Sequence, residues 1–275
     1  MKLATIRVDG STRAARIDGE LATVLEDFAD VGAVLASDGL SRAAEATGRT
    51  LPAADLDFAP VVVNPGKIVC VGLNYRAHIL EMGRPLPDFP VLFAKFSDSL
   101  LGAGDDIPLP PESESIDWEG ELAVVIGSTV RRASAEHAAE AIAGYTIAND
   151  VSMRDWQFRT REWLQGKMWE ASTPLGPVLA TPDEIPADAH LVTAVNGIEK
   201  QRSDVHDLVH DPAGLVAYVS TITTLRPGDV ILTGTPGGVG HARDPREYLA
   251  EGDVVAVSID GIGTLSNRAV AEDRP

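Results

Sequence analysis

A chain of 275 residues with 41 acidic and 23 basic side chains carries a formal charge of −18 at pH 7, which repels phosphate backbones and anionic bilayers and argues against nucleic-acid and membrane partners. One cysteine, Cys70, rules out an intramolecular disulfide, and the apolar runs, broken by Gly, Pro or charge, fall short of the roughly 20 residues a membrane span needs. Arg7, Asp9 and Arg13 interrupt the apolar residues of the N-terminus, so no secretion signal is expected and the cytoplasm is the expected compartment.

In chain order, residues 3–19 hold two alternating runs around Asp9-Gly10, a dipeptide suited to a tight hairpin because glycine accepts positive φ. Residues 20–48, rich in Ala, Leu, Val and Glu at helical spacing, predict helix. Pro52, Pro60 and Pro65 then punctuate a linker, dividing a small N-terminal domain, 1–64, from a main domain, 65–275. Downstream the pattern predicts strands over 67–73, 91–96, 121–127, 144–150, 190–197, 229–234 and 254–270, with two or three helices between them. The expected class is β-dominated α+β with a small N-terminal α/β appendage. Regular strand–helix alternation and a glycine-rich first turn are both absent, which argues against a doubly wound nucleotide fold.

The most informative stretch is 117–126. Strand side chains alternate, so Glu119 and Glu121 share a face with Ala123 and Val125, while Trp118, Leu122, Val124 and Ile126 share the other. Two like charges on one buried face repel and are costly to desolvate; a bound cation is one resolution, and an exposed strand end with solvated glutamates is the other. Asp150 ends the apolar run 144–149 and offers a third carboxylate, a set suited to Mg²⁺ or Mn²⁺, with Ca²⁺ also compatible. Residues 152–165 predict a helix capped by Ser152, on which Arg154 and Gln157 follow Asp150 at offsets of four and seven. Arg154 there either grips a substrate carboxylate or forms a plain ion pair with Asp150 or Asp155. His78 and Glu81, three apart, have the spacing of an oriented general base, which many ordinary helical turns share. Lys167 offers a cation for an enolate or carboxylate, and Trp169 is the tryptophan expected to line a pocket.

Several ordered blocks carry a resemblance: Gly72-Leu73-Asn74-Tyr75-x-x-His78; Glu119-x-Glu121-Leu122-Ala123-Val124-Val125-Ile126-Gly127; Gly144-Tyr145-Thr146-x-x-Asn149-Asp150; Arg154-Asp155-x-Gln157; Lys167 ahead of Pro174-Leu175-Gly176-Pro177; and Gly234-Thr235-Pro236-x-Gly238-Val239-Gly240. Together, over about residues 65–270, the chain resembles the fumarylacetoacetate hydrolase family. That resemblance implies the family's mixed β-sheet roll, a homodimer or higher homo-oligomer, and a magnesium or manganese ion held by Glu119, Glu121 and Asp150. It also implies His78 and Glu81 as the water-activating pair and Arg154, Gln157, Lys167 and Thr235 as substrate contacts; Lys167 is expected to be catalytic as well, and Tyr75 is a further expected substrate contact. Two places depart from the usual family wording: Met168-Trp169-Glu170-Ala171 after Lys167, and a long loop after Gly240 with His241, Arg243 and Arg246.

The expected activity is hydrolysis of the C–C bond of an acylpyruvate-like 2,4-dioxo acid, of the fumarylpyruvate type met in catabolism of aromatic compounds, through a metal-stabilised enolate. The alternatives are a decarboxylase, isomerase or dehydratase acting on another 2-oxo acid, such as oxaloacetate, a hydroxyhepta-dienedioate or a sugar-derived acid. A non-catalytic carboxylate-binding protein of the same fold is the further alternative.

Overall fold

The computed structural model describes residues 1–37, 39–81, 83 and 85–272, without the side chain of Glu81. The first hairpin forms as expected. Lys2–Val8 and Ser11–Asp18 pair antiparallel, and Asp9 (φ 51°) and Gly10 (φ 75°) make the turn in the left-handed conformation that matches the strands' twist. The next segment departs from the helix expected over 20–48. Leu21–Leu25 is a third strand beside Ser11–Asp18, because Ala22 and Val24 fill one apolar cluster while Leu25 fills another, a period-two demand that overrides helical propensity. Helix is confined to Val31–Ala36, where the Asp30 side chain accepts the Ala33 N–H at 2.6 Å, and to Leu40–Glu45.

Lys2–Val8 also pairs with Thr173–Ala180, so the appendage extends the main sheet. From that junction the sheet continues through Ile142–Asn149, Gly120–Ile126, Val230–Leu232, Ile68–Gly72 and Val91–Lys95. It is mixed: Val230–Leu232 runs parallel to Ile68–Gly72, and the other neighbours along this path are antiparallel. A second, five-stranded sheet orders Ile198–Asp204, His190–Val195, Val254–Ile259, Gly263–Ala271 and Ile107–Leu109. The strands expected from the sequence downstream of the linker are present, the run over 254–270 as two antiparallel strands, Val254–Ile259 and Gly263–Ala271.

Alternation along Gly120–Ile126 organises the core. Leu122, with the neighbouring Trp118, packs among Val255, Val257 and Leu265 of the second sheet. Val124 and Ile126, further along the same face, pack against helices Ala135–Glu140 and Pro212–Ile222 through Ala138, Leu215 and Val219. On the opposite face Ala123 and Val125 join Cys70 and Leu175. Glu119 and Glu121 on that face are therefore buried, at 8% and 1% exposure, and the solvated strand end is excluded. Among the described residues no helix is long and apolar enough to cross a membrane.

Candidate metal and substrate site

The site is built where two paired strands end. Gly120 lies opposite Asn149, and the chain turns so that the Asp150 N–H donates to the Glu119 carbonyl at 2.8 Å while the Asn149 side-chain oxygen accepts the Glu119 N–H at 3.0 Å. This brings oxygens of Glu119, Glu121 and Asp150 within 4.8 Å of one another, all three residues buried.

Cations brace two of the three. Lys167 Nζ donates to Glu119 Oε2 at 2.6 Å and to Asp150 Oδ2 at 2.7 Å, and Lys95 Nζ donates to Asp150 Oδ1 at 2.6 Å. Arg154 Nη1 meets Glu119 Oε1 at 2.7 Å, and its Nε and Nη2 grip Asp117 Oδ2 at 2.8 and 2.7 Å. Arg154 Nη1 also donates to Gln157 Oε1 at 2.9 Å. Burial works to raise the Asp150 carboxyl, but Lys167 and Lys95 overcome it and hold it at about 2. Glu121 has no ion-pair partner among the described residues. Burial, then the charges of Asp150 and Glu119, push its carboxyl well above the usual range, opposed only partly by Lys167 and by the Gly234 N–H, which reaches Glu121 Oε2 at 2.7 Å. Gly234 can aim that N–H because its φ is 102°, a conformation that side chains resist.

The charge balance shows what the site fits. Asp117, Glu119, Glu121 and Asp150 face Lys95, Arg154 and Lys167, four negative groups against three positive in a buried space. A divalent ion beside Glu121 would turn the local excess to one positive charge and give the stranded carboxylate its partner, and the donors are the hard oxygens that Mg²⁺ and Mn²⁺ prefer.

The cluster opens into a cavity of about 290 Å³ whose wall includes His78, Arg154, Gln157, Lys167, Thr235 and His241. Its apolar side is Phe93 and Trp163, edge to face with ring centres 5.7 Å apart, and the Phe93 ring centre lies 5.1 Å from Lys167 Nζ. Thr235 is tied in by its hydroxyl, which donates to the Gly120 carbonyl at 2.9 Å and accepts from Gln201 at 2.8 Å. His78 stands on helix Arg76–Glu81. The Glu81 side chain lies outside the described residues.

Four expectations need correction. The helix expected over 152–165 is reduced to two separate turns, Arg154–Gln157 and the tighter Trp163–Gly166, and Ser152–Met153 is claimed as a strand by Ile116–Asp117; Ser152 donates its hydroxyl to the Asp150 carbonyl and caps nothing. Arg154 pairs with neither Asp150 nor Asp155, since Asp117 and Glu119 hold its fork. Tyr75 is outside the lining: 1% exposed, it borders an adjacent hollow of about 190 Å³ with His78, Arg202 and Asp207. Trp163, not Trp169, lines the cavity, while Trp169 packs edge to face on Trp156 elsewhere. Sequence reasoning also missed Lys95 and Asp117. Lys95 closes an otherwise apolar strand, 91–95, and a charge at that position is the signal that was available.

The fumarylacetoacetate hydrolase C-terminal family matches residues 67–270. Human "Oxaloacetate tautomerase FAHD2A, mitochondrial" is 43% identical over 234 residues, 83% of this chain and 74% of its own. The crystal structure of 5-carboxymethyl-2-hydroxymuconate delta-isomerase from Mycobacterium smegmatis superposes with TM-score 0.83 at 37% identity over 100% of both chains. Maleylpyruvate hydrolase from Sphingobium sp. SYK-6, solved with manganese(II) and pyruvate, superposes with TM-score 0.82 at 26% identity over 99% of this chain and 100% of its own. The chain is an enzyme and belongs to the fumarylacetoacetate hydrolase family.

Proposed function

We propose that this enzyme, with Mg²⁺ or Mn²⁺, moves a proton at the carbon beside the 2-oxo group of a short 2-oxo acid, interconverting keto and enol forms, with oxaloacetate the first substrate to test. The observation that carries the reading is the buried cluster of Glu119, Glu121 and Asp150, which together with Asp117 leaves one negative charge unmatched by Lys95, Arg154 and Lys167, at the base of a cavity of about 290 Å³. That volume is at the low end for ligand pockets and suits a small acid. The names of the human tautomerase and the mycobacterial isomerase, both isomerisations, support it.

A divalent ion held by Glu119, Glu121 and Asp150 supplies, when bound, Lewis acidity for the 2-oxo oxygen. The protein's own groups do the rest. Arg154 spends four of its five N–H donors on Asp117, Glu119 and Gln157, which fix its plane, and offers the remaining N–H, on Nη2, to the substrate carboxylate. Lys167 spends two of its three N–H donors on Glu119 and Asp150, leaving one for the oxygen that gains charge as the carbon proton departs. His78, on the cavity wall, is the group that takes and returns that proton.

The second reading is hydrolysis of the C–C bond of an acylpyruvate-like dioxo acid. It is favoured by His78 on the wall of a cavity that also admits water, where the same imidazole would deprotonate a water. The decisive experiment follows the enol absorbance of oxaloacetate and of fumarylpyruvate with purified protein, with Mg²⁺, with Mn²⁺ and with chelator. Metal-dependent ketonisation of oxaloacetate faster than any cleavage of fumarylpyruvate supports the first reading; the reverse order supports the second; no turnover of either overturns both. We infer a homo-oligomer from the family resemblance, supported by exposed Phe96, Phe158 and Met168. We infer the cytoplasm from composition, although the human relative is named mitochondrial.

A further inference from the structure

Neither the carboxylate cluster nor the proton-transfer groups use His241, whose ring lines the same cavity as Arg154 and Phe158. It stands on the single turn Gly240–Ala242. The N–H groups of Gly240 and His241 donate to Asp117 Oδ1 at 2.7 Å and Oδ2 at 2.9 Å, and Oδ2 is the atom that Arg154 grips. One buried carboxylate thus fixes the backbone that carries the imidazole and the guanidinium against each other. The ring stacks on Phe158, centres 5.1 Å apart and planes 34° apart, and its Nδ1 meets the Tyr248 hydroxyl at 2.8 Å. Among the described residues Nε2 has no hydrogen-bond partner.

One hydrogen bond and a stacking partner on the imidazole, with its backbone pinned by Asp117, make a preset ring. With Tyr248 O–H donating to Nδ1, a neutral ring carries its proton on Nε2 and presents a donor. Burial first, then the charges of Arg246 and Arg154, hold the imidazole below its ordinary range against the pull of Asp117, which keeps it neutral at physiological pH. A neutral N–H donor flanked by Arg154 and Arg246 suits an anionic oxygen, and an apolar substrate tail would leave that donor unsatisfied.

We propose that His241 determines specificity by hydrogen-bonding, through Nε2, the distal carboxylate of a 2-oxo diacid whose 2-oxo end faces the carboxylate cluster. The proposal deepens the functional reading above and rests on it for the orientation of the substrate. The test compares oxaloacetate with its 4-methyl ester, which keeps the 2-oxo acid end and removes the distal charge. Binding is measured calorimetrically on the Mg²⁺-loaded protein, and KM and kcat by enol absorbance. His241→Phe keeps the stack on Phe158 and the backbone N–H to Asp117. It is expected to weaken oxaloacetate on the order of tenfold in both Kd and KM, with kcat little changed, and to leave the ester unaffected. His241→Gln restores a donor and is expected to recover part of the loss. Tyr248→Phe, which frees the ring, is expected to reproduce the selective loss in smaller measure. Equal weakening of diacid and ester by His241→Phe, or no weakening of either, overturns the proposal. A wild-type protein that binds both acids but tautomerises neither overturns the functional reading alone, because the binding comparison still decides the role of His241.

Discussion

Replacing Glu121 by Gln should have opposite effects on the metal-free and metal-loaded protein. In the absence of metal the Glu121 carboxyl is 1% exposed, faces Asp150 and Glu119, and has no ion-pair partner among the described residues. Its folded-state proton affinity is raised, so the stability that the protonated form contributes is fully present below its ordinary value of 4.5 and is lost as pH rises through the raised value. At pH 7 the loss cannot exceed the free energy of protonating an ordinary carboxyl there, about 3 kcal/mol. Glu121→Gln removes the charge at nearly constant volume and recovers up to that amount. For a chain of this size the gain corresponds to a rise in Tm of up to roughly 10 °C in chelator, shrinking towards zero as pH approaches 4.5. Mg²⁺ should then reverse the order. The wild type gains stability by mass action, while the variant, short of one anionic ligand, binds the ion at least about tenfold more weakly and gains less. Scanning calorimetry of both proteins, with Mg²⁺ and with chelator, at several pH values, reads all of this. A variant less stable than wild type in chelator, or equally stabilised by Mg²⁺, would refute the reasoning.

Three other substitutions test separate links. Arg154→Lys should raise KM for a 2-oxo acid by about tenfold or more, since a point charge cannot span Asp117, Glu119 and a substrate carboxylate; wild-type kinetics would remove Arg154 from the site. His78→Ala should retain fold and metal but lose on the order of 10²–10⁴ in kcat, and a fully active, metal-loaded variant would refute its role in proton transfer. Lys95→Met should raise the Asp150 carboxyl from about 2 and destabilise the metal-free protein by about 3–5 kcal/mol, the cost of breaking a buried pair; urea denaturation unchanged from wild type would show that Lys167 alone suffices to balance Asp150.

The carboxylate cluster was legible because it depends on local rules. Strand alternation puts Glu119 and Glu121 on one face, and Asp150 ends the partner strand, so pairing brings the three together. What braces them was not, because it arrives from distant segments: Lys95 reaches Asp150 across 55 residues, and Asp117 holds Arg154 across 37. Helical spacing related Arg154 and Gln157 correctly, yet the longer helix fails because backbone pairing of Ser152–Met153 with Ile116–Asp117 outcompetes it. Leu21–Leu25 is a strand and not the helix expected there for a similar reason, since neighbours on both faces, invisible locally, decide its period. The exchange of Trp163 for Trp169 follows from the turn at 163–166, which places the two rings on different surfaces.

The central claim is that a divalent ion on Glu119, Glu121 and Asp150 lets this enzyme exchange a proton at the carbon beside a 2-oxo group. Its most direct test is the NMR rate of deuterium incorporation at carbon 3 of oxaloacetate in D₂O, comparing wild type with Glu121→Gln, each with Mg²⁺ and with chelator. The account predicts exchange well above the metal-only background for Mg²⁺-loaded wild type, abolished by chelator and sharply reduced in the variant. Exchange at the background rate in every sample, or exchange unaffected by chelator, would contradict it.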